Sequence, residues 1–204
     1  MRTVVDHPLA AHLLTRLRDR TTPPPVFRTL TRRLTAILAL EATRDLPAET
    51  RTVETPLEPA EGRELAGIVA IPILRAGLGM LEAVSELFPE VAVGYIGLER
   101  DEATLRPASY YEKLPTVEGR HVLLLDPMLA TGGSAVRACE GVKAGRPASI
   151  RMVCVVAAPE GIAALERAHP DVRIVAAAID RGLSDRGFIL PGLGDFGDRL
   201  YGTD

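Results

Sequence analysis

The sequence predicts an α/β fold: an open, mainly parallel sheet flanked by helices. Short apolar runs at 67–74, 91–98, 121–125, 150–157 and 172–179 alternate with segments of helical period at 78–87, 134–143 and 161–168. The runs are nearly continuous rather than alternating, which is the pattern of strands buried on both faces. Strand–helix–strand order calls for right-handed crossovers between parallel strands. At 204 residues, the chain suits one domain over 1–204 and can bury a core without disulfides or a structural metal.

The first 45 residues read as two helices. Leu9, Leu13, Leu14 and Leu17 fall on one face, and Leu30, Leu34, Ile37, Leu38 and Glu41 follow an i, i+4, i+7, i+8 pattern. Thr21-Thr22-Pro23-Pro24-Pro25 separates them as a turn. The core sheet is expected over about 64–180. Within it, 99–118 is a polar, proline-punctuated insertion long enough for a hairpin or flap. Residues 180–204 carry Gly182, Gly187, Gly192, Gly194, Gly197 and Gly202. Phe188, Ile189, Leu190, Leu193, Phe196 and Tyr201 are interspersed, so an ordered, packed loop is expected.

Bulk properties exclude some partners. A net charge of −3 and a pI of about 5.9 give no electrostatic case for nucleic acid or a membrane surface. No stretch approaches the roughly 18 apolar residues of a membrane span, and a soluble, cytoplasmic protein is expected. Cys139 and Cys154 sit in apolar surroundings and read as reduced, buried thiols. His7, His12 and His169 read as structural.

The chemistry is written where strands end, because ligands of open α/β sheets bind beyond the carboxyl ends of the strands. After the run 122–125 comes Asp126-Pro127-Met128-Leu129-Ala130-Thr131-Gly132-Gly133-Ser134, followed by a helix. Thr131, Gly132, Gly133 and Ser134 would wrap N–H groups and hydroxyls around an anion at that helix N-terminus. Asp126, at the strand end, is placed to accept hydrogen bonds from ribose hydroxyls. A second motif is Ile71-Pro72-Ile73-Leu74-Arg75-Ala76-Gly77-Leu78-Gly79-Met80. It offers backbone donors and a guanidinium suited to a diphosphate.

The stretch 126–134 resembles the 5-phosphoribosyl-1-diphosphate (PRPP) signature of type I phosphoribosyltransferases, and more narrowly the uracil-specific branch. Most type I enzymes have two adjacent acids at the strand end; here the second is Pro127. The resemblance runs over nearly the whole chain. It implies the type I phosphoribosyltransferase fold and a reaction in which uracil and PRPP give UMP and diphosphate, in pyrimidine salvage. It implies that Arg75 and Arg100 hold the diphosphate, and that with Asp126 they form the catalytic set. PRPP would contact Pro127, Met128, Leu129, Ala130, Thr131, Gly132, Gly133, Ser134 and Asp195 as well. Loops such as that at Arg75 often carry strained peptides, so an unusual backbone is expected there. The segment 99–118 would be a flap closing over PRPP.

Uracil has a planar ring edged with carbonyls and N–H groups, so its complement is exposed backbone beside an apolar wall. The resemblance places that complement at Ile189, Gly194, Asp195 and Phe196, within the C-terminal region 180–204. Phe196 stands where many relatives carry a small residue; a backbone contact there would let its side chain point away. Mg²⁺ is expected to arrive on the phosphates of PRPP rather than on a protein metal site. A purine nucleotide such as GTP is the candidate activator, and the sequence leaves its action open. A homodimer or larger homo-oligomer is also expected, partly because Leu9, Leu13, Leu17, Leu30, Leu34 and Leu38 offer more apolar surface than one sheet need use. The other reading is a pyrimidine-responsive RNA-binding regulator on the same fold, which would need a basic surface and normally resembles the two-acid loop.

Overall fold

The computed structural model describes residues 1–100 and 107–203, with the backbone alone at 99, 100 and 107–109. The chain opens with β1 (Arg2–Val4), α1 (Pro8–Arg18), α2 (Pro24–Thr43), β2 (Ala48–Glu54) and β3 (Pro59–Leu65). The central part is β4 (Ile68–Leu74), α3 (Leu78–Leu87), β5 (Ala92–Val93), β6 (Tyr95–Arg100), β7 (Pro107–Lys113), β8 (His121–Leu125) and β9 (Met128–Leu129). It closes with α4 (Gly133–Ala144), β10 (Ser149–Ala157), α5 (Pro159–Ala168), β11 (Arg173–Ile179), β12 (Gly182–Leu183), β13 (Ile189–Leu190) and α6 (Phe196–Tyr201).

The main sheet runs β1-β11-β10-β8-β4-β6-β7. Its pairings are parallel except at the edge, where β6 and β7 are antiparallel. After β4 the chain crosses to β6 on one side, then returns to β8 on the other and continues to β10 and β11. The direction therefore reverses between β4 and β8. That is the topological switch point, where crevices open at the carboxyl ends of the strands.

Each central strand feeds two cores. Ile68 and Ala70 of β4, with Leu123 and Leu125 of β8, join the layer of α1, α2, α3 and α6. Val69 and Ile71, with Val122 and Leu124, join the layer of α4 and α5. Burial on both faces explains why the runs read as continuous rather than alternating. The helices start where the sequence allows. Pro8 and Pro24 occupy first-turn positions, where a missing N–H costs nothing, and the His7 ring accepts from the Leu9 amide at 3.1 Å.

Three expectations need correction, and one hairpin adds to them. Val4 and its neighbours form an edge strand, β1, ahead of the helices, because the pairing with β11 supplies hydrogen bonds that the local sequence does not advertise. The run 91–98 divides into β5 and β6 around Gly94, whose N–H donates to the Ala70 carbonyl at 3.0 Å. Residues 48–65 form the hairpin β2–β3, a sheet of its own with almost every side chain exposed. Finally, Leu13, Leu17, Leu30, Leu34 and Leu38 are all buried against the protein's own sheet, and only Leu9, half-exposed, remains outside. Those leucines are consumed within one chain and offer no surface to a second copy.

Candidate active site

Two loops flank the switch point. The first leaves β8 at Asp126. Instead of turning away, it runs on beside β10: the Pro127 carbonyl accepts from Val155 and Val156, and Met128 and Leu129 pair with Val156 and Ala157. The loop then turns at Gly132, whose φ of +83° is the left-handed region that favours glycine, and enters α4. No side chain caps this helix, so its N-terminus keeps unpaired amides and the positive end of the helix dipole, and Ser134 and Ala135 of its first turn line the cleft. Close packing fixes the turn. A Cβ at Gly132 would stand 2.7 Å from the Gly161 carbonyl oxygen, and one at Gly161 would stand 2.7 Å from that of Leu129 and collide with that of Ala130.

The cleft so formed is about 150 Å³, lined by Asp126, Met128, Leu129, Ala130, Thr131, Gly132, Ser134, Ala135 and Gly187. Asp126 is half-buried and accepts a long 3.4 Å hydrogen bond from the Met128 amide. Burial pushes its carboxyl from 3.8 up to about 7, against the smaller, lowering effect of that amide. A desolvated carboxyl thus stands at the strand end, beside an uncapped helix N-terminus.

The second loop leaves β4 through a cis Leu74–Arg75 peptide, the unusual backbone expected at this place. Successive turns, Gly77 N–H to the Ile73 carbonyl at 2.9 Å and Leu78 N–H to the Arg75 carbonyl at 3.1 Å, carry it into α3. Gly77 packs against the Leu125 carbonyl with no room for a Cβ, so the two loops lie side by side. Arg75 itself is exposed and does not line the cleft; its guanidinium carbon lies 6.0 Å from the Tyr201 ring centroid. Arg100 ends β6, and its side chain lies outside the described residues, as does part of the expected flap.

A second cleft, about 180 Å³, is lined by Met128, Ala130, Gly187, Phe188, Ile189, Gly194, Asp195 and Phe196. It gathers all four residues expected at the base, and shares Met128, Ala130 and Gly187 with the first cleft. Asp195 caps α6 by accepting from the Asp198 amide at 3.0 Å. The Phe196 ring packs edge-on against Phe27, with centroids 5.0 Å apart and an interplanar angle of 66°. Its bulk is thus spent in the core.

The sequence did not disclose what holds this loop. Arg18 donates to both oxygens of Asp180, at 2.9 and 2.6 Å, and to the Gly192 carbonyl at 2.6 Å. Arg199 donates to the Leu193, Leu17 and Asp19 carbonyls and lies 4.5 Å from the Phe27 ring centroid. No local spacing signals contacts between the two ends of the chain. Gly187 and Phe188 belonged to the C-terminal motif, but their place on the cleft follows only from the turn that β12 and β13 enclose. His169 is a buried helix end whose ring lies 3.1 Å from the Val136 carbonyl, and it lines neither cleft. Among the described residues no cluster of His, Cys, Asp and Glu could hold a metal ion, and no helix is long and apolar enough to cross a membrane.

A family model described as uracil phosphoribosyltransferase matches residues 4–203. A uracil phosphoribosyltransferase of Halalkalibacterium halodurans is 51% identical, covering 98% of this chain and 97% of its own. One from Dictyoglomus turgidum is also 51% identical, covering 98% of each. The solved structure of a protein from Aquifex aeolicus is similar at 38% identity, with a TM-score of 0.95 over 98% of both chains. A hypoxanthine-guanine phosphoribosyltransferase from Bacillus anthracis is 11% identical with a TM-score of 0.51, covering 76% of this chain and 79% of its own, which is a likeness of fold.

Proposed function

The chain belongs to the uracil phosphoribosyltransferase family, and from that premise we propose how its two joined clefts divide the work. It is an enzyme of the type I phosphoribosyltransferase fold. It transfers the phosphoribosyl group of PRPP to uracil, giving UMP and diphosphate, the reaction of UMP salvage.

The observation that carries the division is the wall common to the two clefts. An anion seated on the α4 N-terminus and a base against Ile189 and Gly194 would meet across Met128 and Ala130. The 5′-phosphate belongs with Thr131, Gly132, Gly133 and Ser134, and the ribose hydroxyls with Asp126. Uracil belongs with the backbone around Ile189, Gly194, Asp195 and Phe196. At ribose C1 the bond to the diphosphate oxygen breaks with its electron pair, the bond to the uracil nitrogen forms, and that nitrogen gives up its proton. Such a displacement needs no protein nucleophile; it needs alignment and a sink for the charge on the leaving group. Arg75 and Arg100 supply that charge in this reading, with the exposed Arg75 turning inward onto the bound diphosphate.

The residues fit Mg²⁺ carried by the substrate. Asp126 is the single acid at this strand end, with Pro127 in the place of a second. When bound, the ion adds positive charge to the diphosphate and keeps most of its waters.

We also place the protein in the cytoplasm as a homo-oligomer. With the N-terminal leucines buried, support for an assembly shifts to the hairpin β2–β3. Its Val53, Leu57 and Leu65 are exposed, and a lone two-stranded hairpin is marginally stable in water. Sedimentation equilibrium at micromolar concentration decides this: a mass near the 21.9 kDa of one chain overturns it.

A base panel with PRPP and Mg²⁺, following diphosphate release, tests the reading as a whole. Uracil is turned over, while cytosine, hypoxanthine and orotate are poor substrates. Equal rates for uracil and hypoxanthine overturn the assignment of the base cleft. GTP added to the same assay reads activation.

A further inference from the structure

Helix α6 begins in one subsite and ends on the other. Its N-cap Asp195 and first residue Phe196 line the base cleft. At its far end the Tyr201 hydroxyl donates to the Arg75 carbonyl at 3.1 Å, a contact across 126 positions of sequence. The preceding residue, Leu200, is buried, and its Cδ2 lies 2.7 Å from where a Cβ on Gly79 would stand. The absent side chain in the first turn of α3 therefore makes room for α6. Two consecutive residues of α6 thus rest on two points of the 71–80 loop. The Phe196 ring on Phe27 and the Arg199 bonds to the Leu17, Leu193 and Asp19 carbonyls anchor the helix.

We propose that Tyr201 is a positioning residue for the diphosphate loop, tying the Arg75 peptide to the base loop so that the two subsites keep one separation. This rests on the reading of 71–80 as the diphosphate loop and of 187–196 as the base loop. The Arg75 carbonyl sits in an exposed turn, where its other bond comes from the Leu78 amide in the same loop. Among the described residues, the Tyr201 bond is the one this carbonyl accepts from outside the loop. Desolvation raises the phenol above its ordinary range, against the lowering effect of the Arg75 charge, so the hydroxyl remains a donor at neutral pH. Displacement at C1 needs base and leaving group on opposite sides of one carbon at near-contact distances. A small drift of either loop is therefore felt in the rate.

Tyr201→Phe isolates the hydroxyl, because it keeps the ring beside Arg75 and the helix beneath it. One neutral hydrogen bond lost at this position corresponds to about a fivefold effect. The variant is expected to show kcat/KM for PRPP about fivefold lower, and a Ki for inorganic diphosphate as product inhibitor about fivefold higher. The Ki for UMP and the Tm stay at wild-type values. Inorganic diphosphate reads the leaving-group site to which the Arg75 loop belongs, whereas UMP reads the remaining site. Unchanged diphosphate inhibition in an otherwise active pair of proteins overturns the inference alone. Equal weakening of diphosphate and UMP with a lowered Tm also overturns it, since that is what a purely structural helix end would do. A wild-type protein that makes no UMP overturns the functional reading, and this inference with it.

Discussion

Arg18 and Asp180 stand 162 positions apart and meet through two hydrogen bonds, at 2.9 and 2.6 Å. The Gly192 carbonyl accepts from the same guanidinium at 2.6 Å, and the Gly192 amide donates back to Asp180 at 2.9 Å. The base loop is thereby clamped to the end of α1. Asp180→Ala leaves Arg18 without its counter-charge and the Gly192 amide without its acceptor. The Asp180 side chain is only 5% exposed but that of Arg18 is 25% exposed, so the cost belongs at the low end for a broken buried pair, about 3 kcal/mol. Urea denaturation measures it, and KM for uracil should rise in parallel. A variant within about 0.5 kcal/mol of wild type, the scale of a neutral surface change, would remove the clamp from the argument.

Replacement of Asp126 by Asn should leave the fold intact and weaken PRPP use. Hydrogen bonds accepted by a charged carboxylate are worth about 1.5–3 kcal/mol, or roughly 10- to 150-fold in kcat/KM for PRPP. Unchanged PRPP kinetics would take Asp126 out of the site.

The same residue should mark the pH dependence of stability. Its carboxyl is raised from 3.8 to about 7 by burial. Between those values the folded protein holds a proton that the unfolded chain has released. Stability contributed by this group therefore falls as pH rises from about 4 to 7 and is level above. Asp126→Asn has no such proton, while every other group is common to both proteins. The Tm of wild type minus that of the variant should decline across this window. Parallel curves would show the carboxyl to be ordinary. In catalysis the sign is opposite, because the ionised form accepts the ribose hydroxyls: wild-type kcat/KM rises with pH toward about 7.

Gly161→Ala places a methyl group against the Leu129 and Ala130 carbonyls, which belong to the anion cleft. Backbone cannot yield as a side-chain tip can, so overpacking should cost about 1–3 kcal/mol. KM for PRPP should rise, while Ala substitution at exposed Gly119, whose φ of +69° strains the backbone but which lines neither cleft, leaves KM unaffected. Equal behaviour of the two variants would mean that the loop tolerates displacement.

Cys139 and Cys154 are both buried and unpaired. Burial drives the Cys139 thiol up to about 12 and raises that of Cys154 as well. Neither should react with iodoacetamide at pH 8 in the native protein, and both should react in denaturant. Labelling of folded protein, read by mass spectrometry, would place one of them in an opening segment.

Sequence made the central sheet legible because its strands are buried on both faces. Thus His121–Leu125 and Leu78–Leu87 have the bounds that their apolar runs suggest. It hid β1, three residues long, and the hairpin of Ala48–Glu54 with Pro59–Leu65, whose charged and exposed positions look like loop. A strand that owes its existence to a neighbour's hydrogen bonds leaves no hydrophobic trace. The anion loop could be read because strand end, glycine turn and helix start are contiguous between Asp126 and Ser134. The clamp residues Arg18, Asp180 and Arg199 could not, since their partners lie up to 182 positions away. Whether Phe196 would crowd the base was equally a question of tertiary packing, answered by Phe27.

The grip of α1 and α2 on the segment from Ile189 to Tyr201 has a consequence for biosynthesis. Translation delivers the helices well before the loop they hold. On the ribosome, Phe27 waits without the ring that covers it, and the Leu17 carbonyl without its arginine donor. The strands and turns of the anion cleft, Asp126 to Ser134, leave the exit tunnel earlier and depend on β10 and α5, which follow them closely. A nascent chain can therefore form the Asp126–Ser134 wall of its anion cleft while the base loop, with the Gly187 that both clefts share, is still being polymerised. A stop codon ahead of Ile189 would release a protein that keeps most of its sheet and has lost the substrate-choosing wall.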